Sequence, residues 1–323
     1  MTDLYDITII GGGPVGLFAA FYAHLRQAKV KIIDSLHQLG GQPAMLYPEK
    51  TILDVPAFMH VSGQELIEYL KQQLSPFDTT VCLNETVEAI HQSENFFNIQ
   101  TSTSSHVSKT VIIAMGLGAF KPRTLDLDGI HTFKNIYYHV QNQQQFANQH
   151  VVVLGGGDSA VDWALSFEKT TRSITLIHRR EEFRALEHSV QTLHNSSVSV
   201  YTPYLPTRLI GKGDTLTHLE LTKVRTTDTL TIPVDSLFVN YGFHSSIGNL
   251  KDWGLTLNRH KICVNTKQET SIPGIYAIGD CCTYDGKIDL IATGLGEAPT
   301  AVSNALHFIN PKSRIQPMHS TSL

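Results

Sequence analysis

Ile7-Thr8-Ile9-Ile10-Gly11-Gly12-Gly13-Pro14-Val15-Gly16-Leu17 sets the fold of this 323-residue chain. A β-rich run from Tyr5 to Ile10 meets a glycine turn, and a helical run follows from about Val15 to Ala28. Val30 to Ile33 then reads as a second buried strand ending at Asp34. Strand, turn, helix and strand in this order make a βαβ unit. The turn carries Gly11-x-Gly13-x-x-Gly16. The first glycine makes the tight turn, the second lets a pyrophosphate approach the backbone, and the third lets helix and strand pack closely. The helix N-terminus aims free N–H groups and a partial positive charge at the phosphates.

The same arrangement begins again at Val151. Val151 to Leu154 is an apolar strand, followed by Gly155-x-Gly157-x-x-Ala160, a helix from about Ser159 to Lys169 and a strand from Ile174 to Ile177. Asp34 and His178 each lie 23 positions beyond the first glycine of their motif, so the two sites are in register. Their chemistry differs. The Asp34 carboxylate suits the ribose diol of FAD or NAD and repels a 2′-phosphate. The second site has no acid there. It reads His178-Arg179-Arg180, with Arg184 one helical turn further on. Guanidinium groups pair bidentately with phosphate oxygens, so NADPH is expected in preference to NADH, with Glu181 and Glu182 pointing away. Two dinucleotide sites imply one resident and one exchangeable nucleotide. A resident flavin fits: it takes a hydride from NADPH and passes electrons on singly.

Composition narrows the alternatives. Lys and Arg number 25 against 29 Asp and Glu, a net charge of −4, which excludes a polybasic nucleic-acid coat or a cationic membrane binder. Apolar content of 41% is enough for two cores. Cys82, Cys263, Cys281 and Cys282 form no CxxC pair, so neither a disulfide framework nor a metal site is expected, and the compartment read from them is the cytoplasm. Asp3 and Asp6 stand where a secretory signal would be basic. Ile7 to Leu25 has no charged residue, but its glycine turn rules out a membrane span.

Further elements follow from pattern. Gly40-Gly41-Gln42-Pro43 opens a loop. Leu66, Ile67, Leu70 and Leu74 place one face of a helix over Gln64 to Leu74. Phe96 to Thr101 and Val111 to Ala114 read as strands, with Thr101 to Ser105 a hairpin tip. Ile275 to Ile278 is a last strand running into Gly279-Asp280, and a closing helix spans about Ala298 to Ile309 with Pro299 in its first turn. If the N-terminus of that helix faces the flavin pyrimidine edge, its dipole favours the anionic reduced flavin. Chain crossings are expected near Gly116 to Pro122 and Gly242 to Gly248. The expected fold is α/β, with two Rossmann-like dinucleotide-binding domains. Residues 1–117 and 246–323 form a discontinuous FAD-binding domain, and residues 118–245 an inserted NADPH-binding domain.

Together these stretches, with Ile275-Tyr276-Ala277-Ile278-Gly279-Asp280, give a chain that resembles the two-dinucleotide-binding-domain flavoproteins of the thioredoxin reductase type, a three-layer ββα architecture. The CxxC dithiol of thioredoxin reductases is absent. More closely, Leu46-Tyr47-Pro48-Glu49-Lys50, Gly296-Glu297-Ala298-Pro299-Thr300 and the tail His319-Ser320-Thr321-Ser322-Leu323 are similar to the ferredoxin/flavodoxin–NADP+ reductases of that group. The resemblance implies FAD contacts at Asp34, Gln42, Tyr47, Val87, Phe120, Asp280 and Thr321, with Tyr47 stacking on one face of the flavin and His319 on the other. Gly11, Gly13, Pro14, Gly16, Gly41 and Ala298 complete that expected set; Gly155, Gly157, Asp158, Ser159, Ala160, His178, Arg179, Arg180 and Arg184 form the NADPH set. The resemblance also implies a homodimer with the tail lent to the partner subunit.

The activity so implied is transfer of electrons between NADPH and ferredoxin or flavodoxin, by hydride transfer to flavin N5 and then single-electron steps. The nicotinamide and the outgoing electrons need the same flavin region, so either His319 moves or the domains rotate. An acidic carrier calls for a local basic patch, with Lys50, Lys121, Arg123 and Lys287 as candidates. Competing readings are an NAD(P)H oxidase, diaphorase or quinone reductase, a disulfide reductase disfavoured by the missing CxxC, and a non-catalytic nucleotide sensor.

Overall fold

The computed structural model describes residues 3–316 apart from 139, 141–142 and 247, without the side chains of 119–122 and 243–249. The α-helices among these residues are α1 (Pro14–Leu25), α2 (Gly41–Leu46), α3 (Gly63–Leu74), α4 (Asp158–Phe167), α5 (Glu187–His194) and α6 (Ile291–Ile309). None of the described helices is long and apolar enough to cross a membrane. The chain divides into two compact units, Met1–Ala119 with Ser245–Leu323, and Phe120–His244.

The first unit is built on a parallel sheet ordered Thr80–Cys82, Val30–Ile33, Leu4–Ile10, Ser105–Ile113, with Ile275–Ala277 beside the last of these. The strand Ser105–Ile113 changes partner along its length. Its first half pairs antiparallel with Phe97–Thr101, and its second half pairs parallel with Ile275–Ala277. Successive side chains leave a strand on opposite faces, so the near-continuous apolar runs reflect burial on both sides. Ile7, Ile9 and Ile32 pack with residues of α1, α3 and α6, while Ile10, Ile33 and Ile113 pack with Phe97, Ile99, Trp253 and Ile262 on the other face. Helices on one face and a second β layer on the other give the three-layer ββα build. Each fully buried large aliphatic side chain contributes about 1.5–3 kcal/mol.

The second unit repeats the plan. Its all-parallel sheet runs Ile136–Tyr137, Ser236–Val239, His150–Leu154, Ser173–Ile177, Ser199–Tyr201. Trp163, Ala164 and Phe167 of α4 pack on one face with Val151 and Val153, and Leu216, Leu219 and Leu221 pack on the other with Val152 and Leu154. These three leucines belong to an antiparallel sheet of Tyr204–Lys212, Thr215–Lys223 and Thr229–Pro233.

Four local outcomes depart from the pattern reading. The stretch after Gly40 is not a loop but the short helix α2. Helix α1 stops at Leu25, with Gln27 at a φ of 61°, short of Ala28. Ser105–Ile113 extends well beyond the expected Val111 to Ala114, because Ser108 and Thr110 are buried polar residues whose hydroxyls donate to backbone carbonyls. The closing helix begins at Ile291, not Ala298, so Pro299 lies inside it and the helix end expected there does not exist. Gly294 and Gly296 made that stretch look unhelical, yet a Cβ at Gly294 would sit 3.2 Å from Gly279 Cα and 2.5 Å from Val15 Cγ2, so close packing requires the glycine.

Candidate functional site

Both glycine motifs fold as the same strand–turn–helix, and their three positions separate by physical cause. At Gly11 the φ is 108° and a Cβ would fall 2.5 Å from the carbonyl oxygen of Ala114. At Gly155 the φ is 150° and a Cβ would fall 2.4 Å from the carbonyl oxygen of Asn240. A neighbouring strand end therefore closes on each first glycine, which must lack a side chain. At Gly16 a Cβ would lie 2.0 Å from Gly11 O, while Ala160 is fully buried against Gly155. The middle glycines behave differently. Gly13 and Gly157 have extended backbones, with φ of −73° and −100°, and a Cβ on either would meet nothing nearer than 3.8 Å. Neither conformation nor protein packing calls for glycine there, and the space beside each is left open. Both residues are helix N-caps without a side-chain hydrogen bond, so the first-turn N–H groups of α1 and α4 can take an outside acceptor. Pro14 is the first residue of α1, where its missing N–H costs nothing.

Around the first turn the acid is already engaged. Asp34 Oδ2 accepts from Gly12 N–H at 2.6 Å and Oδ1 accepts from Leu36 N–H at 2.8 Å. The carboxylate is buried, and burial pushes its pKa up against the pull of those two hydrogen bonds. Each oxygen keeps a lone pair for a diol. Gly41, at a φ of 57°, packs on Gly13, and Gly40 N–H donates to Gly12 O at 2.8 Å, so α2 seals the turn. That helix carries Gln42, whose Nε2 lies 3.5 Å from where a Gly116 Cβ would be, and Tyr47 caps its C-terminus. Burial raises the Tyr47 hydroxyl pKa, and the charges of Asp280 and Asp54 raise it further, which sets Tyr47 and Asp280 in one environment. Asp280 is itself raised by burial and by Asp289. Its turn packs on α1, since a Cβ at Gly279 would touch Val15 at 3.5 Å.

The other expected contacts are placed less openly. Val87 has its side chain in the core, and Ala298 is fully buried within α6. The Phe120 side chain, His319 and Thr321 lie outside the described residues.

At the second turn, His178 occupies the place of Asp34, and its ring packs differently. A Cβ on Gly156 would fall 2.3 Å from the imidazole, so the ring lies against the turn, stacked on Phe183 with centroids 5.4 Å apart. Its Nε2 is buried with no hydrogen-bond partner. Burial lowers its pKa, and Arg179, Arg180 and Arg184 lower it further against a ring N–H hydrogen bond to the Glu182 backbone carbonyl. Arg179, Arg180 and Arg184 are exposed, as are Glu181 and Glu182. Arg184 N–H donates to Gly156 O at 2.6 Å, and Leu186 N–H donates to Asp158 Oδ1 at 2.7 Å, so the arginine segment is stitched to the turn and to the first residue of α4. Ser159 is exposed in that first turn.

Pattern reading missed two buried charge clusters in the first unit. Lys31, inside a strand that reads as apolar, donates to His106 Nδ1 at 2.8 Å and lies 4.2 Å from the Tyr5 ring centre. His106 Nε2 meets Glu85 Oε2 at 2.9 Å, and Cys82 lies beside them. Sulfur, nitrogen and oxygen donors thus converge, but the lysine ammonium already neutralises the group. The second cluster joins Glu297 to Lys287, Tyr284 and the N–H of Gly279. Lys287 is buried in that pair, which removes it from the basic docking candidates.

Comparison with known proteins agrees with this geometry. A family model described as pyridine nucleotide-disulphide oxidoreductase matches residues 5–305. Over the full length of both chains, the sequence is 67% identical to a ferredoxin–NADP reductase of Streptococcus pneumoniae (strain Hungary19A-6) and 65% identical to one of Streptococcus sanguinis (strain SK36). The fold matches thioredoxin reductase of Lactococcus lactis with a TM-score of 0.81 at 26% identity, covering 94% of this chain and 99% of that one. Two glycine turns with open middle positions, an acid at one and arginines at the other, and these full-length relatives lead to one conclusion: the chain belongs to the pyridine nucleotide-disulphide oxidoreductase family, with the ferredoxin–NADP reductases as its relatives.

Proposed function

We propose that the chain is a FAD-dependent enzyme that moves electrons between NADPH and ferredoxin or flavodoxin. The observation that carries this reading is the pair of middle glycines, Gly13 and Gly157, which neither backbone conformation nor packing requires and which sit at helix ends without a side-chain cap. The first unit takes FAD. The Gly11–Gly16 turn would hold the pyrophosphate, Asp34 the adenosine diol, Asp280 the ribityl chain, and Tyr47 one face of the ring. The second unit takes NADPH, with its pyrophosphate at Gly155–Ala160 and its 2′-phosphate among Arg179, Arg180 and Arg184. A bound flavin supplies hydride acceptance and single-electron release. Overall, NADPH gives up a hydride, two carriers each take one electron, and one proton passes to water.

The protein groups bind and orient; none needs to move a proton for hydride transfer. Tyr47, whose hydroxyl pKa is raised by burial, stays neutral and offers a flat apolar face. The sequence holds no CxxC dithiol to relay electrons, and Cys281 and Cys282 are buried. The unpaired cysteines fit a reducing compartment, and we place the chain in the cytoplasm. The resemblance further supports a homodimer, with His319 over the second flavin face. Removing His319 to Leu323 is then expected to change turnover.

Anaerobic stopped-flow mixing with NADPH, then with oxidised ferredoxin, tests the reading. Rapid bleaching by NADPH, slower bleaching by NADH and recovery of colour with ferredoxin are expected. Recovery only with oxygen or quinones would contradict it.

A further inference from the structure

We propose that a cavity of about 480 Å³ beside Gly116 and Leu117, rimmed by the hairpin tip Arg259-His260-Lys261, is the docking surface for an acidic one-electron carrier protein. This rests on the functional reading above and names where the carrier sits.

Two walls of the cavity continue directly from the FAD cradle. Gly116 and Leu117 follow Ala114 and Met115, the backbone that closes on Gly11. Thr283 ends the short strand that follows the Gly279-Asp280 turn. All the lining residues belong to the first unit, so the cavity is a feature of the flavin-binding unit itself. Gly116 also faces the Gln42 amide.

The chemistry of the rim fits an acidic partner. Leu117 is 39% exposed and supplies an apolar centre. Arg259 stands at the tip of the hairpin formed by Leu257–Asn258 and Lys261–Cys263, exposed, with a φ of 57°, and without an ion-pair or hydrogen-bond partner among the described residues. His260 beside it is exposed, and Lys261 is tied to Asp289, which anchors the chain where it leaves the tip. An apolar centre with a charged, solvated rim is the anatomy of a transient protein interface. The chain as a whole carries −4, so net charge does not draw in an acidic carrier, and a local unpaired cation has to orient it. Local complementarity of this kind chiefly sets encounter rate and orientation.

Charge reversal at Arg259 tests this in the holoenzyme. Arg259→Glu is compared with Lys312→Glu, which makes the same change in net charge at an exposed site past α6. Acceptors are oxidised ferredoxin and the neutral quinone menadione, each at low and high ionic strength. Arg259→Glu is expected to lower kcat/KM for ferredoxin about tenfold at low salt, mainly through KM, with the gap closing at high salt. Menadione turnover stays at the wild-type level, Lys312→Glu changes ferredoxin turnover less than twofold, and Arg259→Lys restores it. Equal losses in the two charge reversals, no loss in Arg259→Glu, or a parallel loss with menadione would overturn the docking site and leave the proposed activity standing. A wild-type enzyme that reduces menadione but not ferredoxin would overturn both.

Discussion

Glu297 Oε2 accepts the N–H of Gly279 at 2.7 Å, and through that bond α6 holds the turn that presents Asp280. The other carboxylate oxygen takes the Tyr284 hydroxyl and the Lys287 ammonium. The side chains of Lys287 and Glu297 are 3% and 5% exposed, so the pair is sealed from water. Gly294 of the same helix packs on Gly279. Helix and turn are thereby locked at one end of the cradle.

Glu297→Ala leaves a buried ammonium and a buried N–H unpaired. Breaking such a pair by removing one partner costs about 3–5 kcal/mol. Urea unfolding is expected to show that loss, and gel filtration is expected to show loss of bound flavin. A variant of unchanged stability that retains flavin would contradict the clamp.

In the proposed function, coenzyme choice is assigned to the exposed guanidiniums after His178. Replacing Arg179 or Arg180 with Ala removes a charge-assisted contact and is expected to raise KM for NADPH roughly tenfold to a hundredfold, with kcat at saturation unchanged. KM for NADH stays where it is. Equal increases for both coenzymes would show that these arginines do not read the 2′-phosphate.

Acid sensitivity is expected at Glu85. Burial alone would raise its pKa, but hydrogen bonds from His106, Ser104 and Thr101 together hold it at about 2, below its ordinary 4.5. A depressed carboxyl contributes stability above its unfolded pKa and loses it as pH falls through the folded one. The difference in Tm between wild type and Glu85→Gln is therefore expected to be full near neutrality and to shrink from about pH 4.5 toward pH 2. A difference independent of pH would contradict this.

Thiol chemistry separates the chain from dithiol enzymes of the same fold. Burial pushes Cys281 up to about 12, and Cys282 is also raised by burial and by its neighbour. Ellman's reagent is expected to label Cys82 and Cys263 in the native state and to reach the buried pair only on unfolding. NADPH-dependent reduction of thioredoxin is expected to be absent. Rapid labelling of four thiols in the native state would contradict the burial.

The two βαβ units were legible because glycine, apolar strand and helix stand at fixed spacing, and the register of Asp34 with His178 followed from counting. What eluded pattern reading shares one physical cause: tertiary contact overrides local propensity. Lys31 hides in an apolar strand because His106 and the Tyr5 ring accommodate its charge. Helix α6 runs through Gly294, Gly296 and Pro299 because close contact with Gly279 and Val15 outweighs their weak helix preference. That the His178 ring lies against Gly156 is a relationship visible only in three dimensions. The hairpin Arg259-His260-Lys261 carries no motif; only folding places it beside Gly116.

The most direct measurement is the visible spectrum of the purified chain, with the released chromophore identified by chromatography. The expected result is one FAD per chain, reduced by NADPH in preference to NADH. A colourless protein that cannot be reconstituted with FAD would contradict the assignment of the Gly11 cradle and everything built on it.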